Sequence, residues 1–98
     1  MDITYKNNKL QKICTDASVA RRVHGDKMAR KIHQRIDQIQ ASDTIETLIQ
    51  FNIGRCHPLI GDRAGQYAMD LVHPYRLIFE INGTEIQIAN ITDITDYH

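Results

Sequence analysis

With 98 residues, 42% of them hydrophobic, and a formal net charge of zero, the chain is expected to be one globular domain over residues 1–98. That composition excludes a disordered chain, and no apolar run is long enough for a membrane-spanning helix. Met1-Asp2-Ile3-Thr4-Tyr5 has no basic leader and apolar core, so no signal peptide is expected, no membrane partner is implied, and the cytoplasm is the expected location.

The zero conceals a split. Residues 1–41 hold nine Lys or Arg against four Asp, whereas residues 42–98 hold three Arg against eight acids. Such asymmetry fits either a polyanion or an acidic partner near the first half, or simply a solvated helix face. Cys14 and Cys56 lack metal-ligand spacing, so no metal or cofactor is expected. Cys14 reads as a small core residue. Cys56 precedes His57, but neighbours on a strand point to opposite faces, which argues against a thiol–imidazole pair.

In chain order, Met1–Lys6 reads as a strand that Asn7-Asn8 ends. Lys9–Cys14 is a helical turn with Leu10, Ile13 and Cys14 on one face, and Thr15 or Asp16 can cap a helix to about His24. Gly25-Asp26 ends that helix or kinks it into the next. Lys27–Gln40 carries the clearest helical stripe, Met28, Ile32, Ile36 and Ile39, with Lys27, Arg30, Lys31, Gln34 and Arg35 facing away. Asp43 is placed to cap Thr44–Gln50. Arg55–Ile60 reads as a strand that Pro58 ends or confines to an edge. After the turn Gly61–Gly65, strands are expected at Gln66–Leu71 and, past His73-Pro74, at Tyr75–Ile81. Asn82-Gly83 predicts a tight hairpin with a return strand from Thr84, Ile86 and Ile88 inward. The sum is an α+β domain: an N-terminal strand and helices packed on a small antiparallel sheet.

Counting outward from Asn82-Gly83 sets Arg76 roughly against Ala89. On that pairing one sheet face gathers His57, Arg76, Tyr97 and His98, with a one-residue slip enough to reverse every side chain. These types suit metal-free RNA cleavage. Histidine can take the proton of the attacking 2′-hydroxyl or give one to the departing 5′-oxygen. Arginine holds phosphate oxygens in a fork, and tyrosine can stack on a base. Asp96, or an α-carboxylate at His98, would favour the imidazolium of His98.

The blocks Cys56-His57-Pro58-Leu59-Ile60-Gly61-Asp62-Arg63, Tyr75-Arg76-Leu77-Ile78-Phe79 and Asp96-Tyr97-His98, with His24-Gly25-Asp26 and His33-Gln34-Arg35, resemble the HigB-type plasmid maintenance killer toxins of the RelE/ParE superfamily. The resemblance runs over essentially the whole chain. It implies a RelE-like fold, a toxin that enters the ribosomal A site and cleaves mRNA without metal, and translation arrest. It also implies a HigA-type helix-turn-helix antitoxin, with operator DNA bound only through the toxin–antitoxin complex. The catalytic positions it implies are His57, Arg76, Asp96, Tyr97 and His98. The family commonly has a lysine where this chain has Ile60. Either another cation compensates, Arg63 first with Arg55 and Arg76 behind it, or the toxin is slower or differs in codon preference; Arg55 and Arg63 are expected to contact RNA. Two alternatives remain at this point: a ParE-like, non-nucleolytic inhibitor of DNA gyrase, and a scaffold partner without activity. In each case the antitoxin contact is expected to fall partly on residues 1–41.

Overall fold

In the computed structural model, which describes residues 1–96, the helices come first and the sheet mostly after them. Strand β1 (Asp2–Tyr5) leads into helices α1 (Asn8–Thr15), α2 (Ala17–His24), α3 (Asp26–Ala41) and α4 (Ile45–Gln50). Strands β2 (His57–Pro58), β3 (Gln66–Asp70), β4 (Tyr75–Asn82) and β5 (Ile88–Asp96) follow. Their order in the sheet is β1-β5-β4-β3-β2. The α+β expectation holds, with one correction: β1 runs parallel to β5, so the sheet is mixed.

Short polar residues set the helix starts. Asn7 accepts from Leu10 N at 2.9 Å, and Asp16 accepts from Ser18 N at 2.9 Å and Val19 N at 3.3 Å. The Ser18 hydroxyl first, and then those backbone bonds, hold the Asp16 carboxyl below its ordinary range. Gly25, at φ +86°, separates α2 from α3 outright instead of kinking one helix. The cap of α4 is Thr44, not Asp43: its Oγ1 accepts from Thr47 N at 3.3 Å.

The α3 stripe Met28, Ile32, Ile36 and Ile39 is buried as expected, against Met69, Leu77, Phe79, Ala89 and Ile91. Tyr67 stacks on Phe79 across the β3–β4 ladder, ring centres 5.9 Å apart. Gln87 is a buried polar exception, whose Oε1 accepts from Ile45 N at 2.7 Å and ties the loop before β5 to α4.

The hairpin differs from expectation. Asn82 pairs with Ile88, so residues 83–87 form a loop, and Ile86 is exposed instead of inward. Gly83 makes that loop possible. Its φ is +90°, and a Cβ there would sit 2.2 Å from the Ile86 carbonyl oxygen. Ala89, not Ile88, points to the helices. A bulge follows: Ile78 pairs with Asp93 but Phe79 with Ile91, leaving Thr92 between them, its Oγ1 donating to Ile78 O at 3.3 Å. The bulge is why Ile91 and Ile94, three residues apart, share the helix-facing side.

Candidate active site

The register assembles a polar patch on the face turned away from the helices. Arg76 pairs with Asp70 on one side and Thr95 on the other, while Ala68 pairs with both Ile78 and His57. Directly paired residues share a face and alternate residues along a strand return to it. His57, Asp70, Arg76 and Thr95 therefore lie on one face, around the fully buried Ala68 and Ile78. Arg76 sits against Thr95, not Ala89, because the longer loop and then the bulge advance the return strand. The same shift carries the end of β5 to the Arg76 end of β4, where Asp96 pairs with Tyr75. The pleat puts the Asp96 side chain on the helix-facing side, one position along from Arg76. Tyr97 and His98 lie outside the described residues.

His57 is held by its own segment. Its Nδ1 lies 2.7 Å from the Arg55 carbonyl oxygen, which can only accept. Nδ1 must therefore carry the hydrogen, and the neutral ring offers Nε2 as its proton acceptor. Arg55 belongs to a turn with several left-handed residues, Asn52 at φ 51°, Gly54 at φ 58° and Arg55 itself at φ 53°. That turn replaces the first part of the expected strand, so only His57 and Pro58 pair with β3.

Asp70 gathers the cations. Its Oδ2 meets Arg55 Nε at 2.6 Å, and its Oδ1 lies 3.6 Å from Arg76 Nε. Its backbone carbonyl accepts from Arg35 Nε at 2.6 Å. Two guanidinium groups, those of Arg55 and Arg76, share this one carboxylate beside a cleft of about 260 Å³, lined by Arg55, Asp70, His73, Tyr75 and Arg76 among others. Such a cleft suits a phosphate group, which two arginine forks can grip.

Arg63 does not join them. It is exposed, and its Nη1 donates to Gln66 Oε1 at 3.5 Å, at the opposite end of β3 from Asp70. Gln66 lies four residue steps from Asp70 along β3, about 13 Å along the ladder. Ile60 is 88% exposed. The first substitute for the missing lysine was expected at Arg63; the described residues bring Arg55 to Arg76 instead. Cys56 is buried, which pushes its thiol up to about 12 and keeps it protonated, so it is unsuited to act as a nucleophile.

Sequence reasoning missed two residues here. Asp70 ends β3 just before the turn that reverses into Arg76, and aligning those strands across the turn would have matched them. Arg35 flanks the α3 stripe between Ile32 and Ile36, a position whose periodicity points to solvent; it is half-buried, and burial lowers its pKa against the opposing pull of Asp70.

Nothing in the sequence matches a known family model, and no curated protein matches it. Solved structures do match. A YoeB/ParE toxin from Agrobacterium tumefaciens superposes with a TM-score of 0.68 at 15% identity, covering 100% of both chains. YoeB from Staphylococcus aureus, solved as a YoeB–YefM complex and as a dimer, superposes with a TM-score of 0.64 at 19% identity, over 100% of this chain and 97% of that one. The fold is that of the YoeB/ParE toxins.

Proposed function

We propose that this chain is the toxin of a type II toxin–antitoxin pair, a HigB-type endoribonuclease that cleaves mRNA on the ribosome without metal. The toxin fold supports the first half of that reading. The second half rests on His57, whose Nδ1 is committed to the Arg55 carbonyl while its ring shares a sheet face with Arg76.

In this reading the 2′-hydroxyl attacks the adjacent phosphorus. The O2′–P bond forms as the P–O5′ bond breaks, giving a 2′,3′-cyclic phosphate and a 5′-hydroxyl. His57 Nε2 takes the proton from O2′. Arg76 and Arg55 grip the non-bridging oxygens of the phosphate, in the bound substrate as in the transition state. His98 returns a proton to O5′, and Tyr97 stacks on a base. A HigA-type antitoxin is the proposed partner, and operator DNA is met only through that complex. The neighbouring fold solved as a YoeB–YefM complex supports a partner of the antitoxin kind. Ribosomal action places the protein in the cytoplasm.

The test uses purified protein and ribosomes programmed with a defined mRNA, with cleavage mapped by primer extension. Site-specific cuts by the wild type, lost in His57→Gln, are expected. Intact mRNA together with inhibited gyrase supercoiling would replace this reading with the ParE-like one.

A further inference from the structure

Arg35 reaches out of α3 to two parts of the site at once. Its Nε donates to the Asp70 carbonyl at 2.6 Å, and Nη1 donates to Gln38 Oε1 at 3.0 Å, which fixes the plane of the guanidinium. β2 pairs only with Tyr67 and Ala68, so Asp70 extends past the end of that ladder, and Arg35 supplies a partner for its carbonyl there. The other side of the same guanidinium lies against Gly54. A Cβ at residue 54 would stand 2.7 Å from Arg35 Nε and 2.9 Å from Cζ. The close approach therefore needs the glycine, whose φ of 58° belongs to the left-handed turn that ends in Arg55. Asp70 in turn holds Arg55 through Oδ2 and faces Arg76 through Oδ1.

We propose that Arg35 is a positioning residue: braced on Gly54 and bonded to the Asp70 carbonyl, it sets the Asp70 carboxylate so that Arg55 and Arg76 stand side by side as a paired grip for one RNA phosphate. The RNA part of this inference rests on the reading in the preceding section. The placement of Arg55 does not. A side chain on the third helix thereby governs two cations on the turn and the sheet, and Arg55 takes over the cation absent at Ile60.

Two variants test it. Arg35→Lys keeps the charge but loses the two-way fork. Asp70→Asn keeps the backbone carbonyl for Arg35 but weakens both ion pairs. Hydrogen exchange of the arginine Nε–H groups, followed by nitrogen-15 NMR on the free protein, reads the placement of Arg55. Cleavage of ribosome-bound mRNA reads KM and kcat, and thermal melting reads folding. The expected result in both variants is Arg55 Nε–H exchange faster by about tenfold, and KM raised by about tenfold with kcat nearly constant. Adding Arg35→Lys to an Arg55→Gln background should then raise KM little further. A merely structural Arg35 would lower the melting temperature and leave the KM of the folded fraction alone. Unchanged Arg55 exchange in a folded Arg35→Lys protein overturns the inference, as does full additivity with Arg55→Gln. If the wild type cuts no mRNA, the endonuclease reading and the RNA role of this grip fall together, while the exchange measurement still decides whether Arg35 places Arg55.

Discussion

Single residues in the site work through geometry that leaves few substitutes. His57 has one ring nitrogen committed to Arg55 O, so glutamine at 57 can fill the space but cannot take a proton. His57→Gln is expected to lower cleavage by about 10² to 10⁴, the usual range for lost acid–base catalysis, with an unchanged melting curve. Cys56, one residue earlier, makes the contrast. Its thiol, pushed up to about 12 by burial, should resist iodoacetamide in the native protein near neutral pH and react once urea unfolds the chain, as mass spectrometry would show. His57 and Arg76 could be singled out from the sequence because chemistry favours their residue types. Asp70 and Arg35 could not, because their roles depend on which strand end meets which helix face. Arg35 in particular looks like any charged residue beside an apolar stripe until Gly54 is seen against it.

The helices and the β3 and β4 strands were legible, since period and caps are local signals. The stretch from Asn82 to Ile88 was not. Asn-Gly is a strong local signal for a two-residue turn, but the buried Gln87 bond to Ile45 N holds a longer loop. Every residue of β5 then shifts relative to β4. Gly83→Ala tests how far that loop depends on one conformation. A left-handed φ and a blocked Cβ together should cost more than about 1 kcal/mol in urea unfolding. The end of α2 gives a pH test. A histidine in the last turn of a helix usually gains basicity from the helix dipole. At His24, burial and then Lys9 win, holding its pKa below the ordinary 6.5. As pH falls below that ordinary value, the unfolded chain binds a proton that the folded chain refuses, so His24 costs stability on the acid side and none above it. Urea midpoints should fall between about pH 7 and pH 5, and His24→Gln should flatten that part of the profile. His24 also meets the edge of the Tyr75 ring, centres 6.4 Å apart, so its substitution should loosen α2 from the start of β4.

For the molecule as a whole, an α+β fold could be read from helices preceding strands, whereas the parallel partner of β1 could not. That pairing joins Asp2 to Ile88 and Tyr5 to Ile91, and no local pattern encodes so distant a meeting. The charge split was visible too, and it takes physical form: Lys9, Lys12, Arg21, Arg22, Lys27 and Arg30 are exposed on α1 to α3. Phe79 sits where the helix layer, β3 and β5 converge, fully buried and stacked on Tyr67. Phe79→Ala should cost about 3–5 kcal/mol in chemical denaturation, the usual loss for a large core aromatic.

The position of β5 bears on how the molecule is made. It is the latest strand in chain order, yet it lies between β1 and β4. Until Ile88–Asp96 has been synthesised, β1 has no strand to join and one side of β4 stays open. Closing a loop of more than eighty residues comes late and slowly compared with forming the helices. The nascent chain therefore passes through a stage with helices in place and an unpaired apolar strand edge, a state inclined to stick to other chains. The sheet face that carries Arg76 is completed in the same event, so any activity residing there must wait for the last strand to arrive.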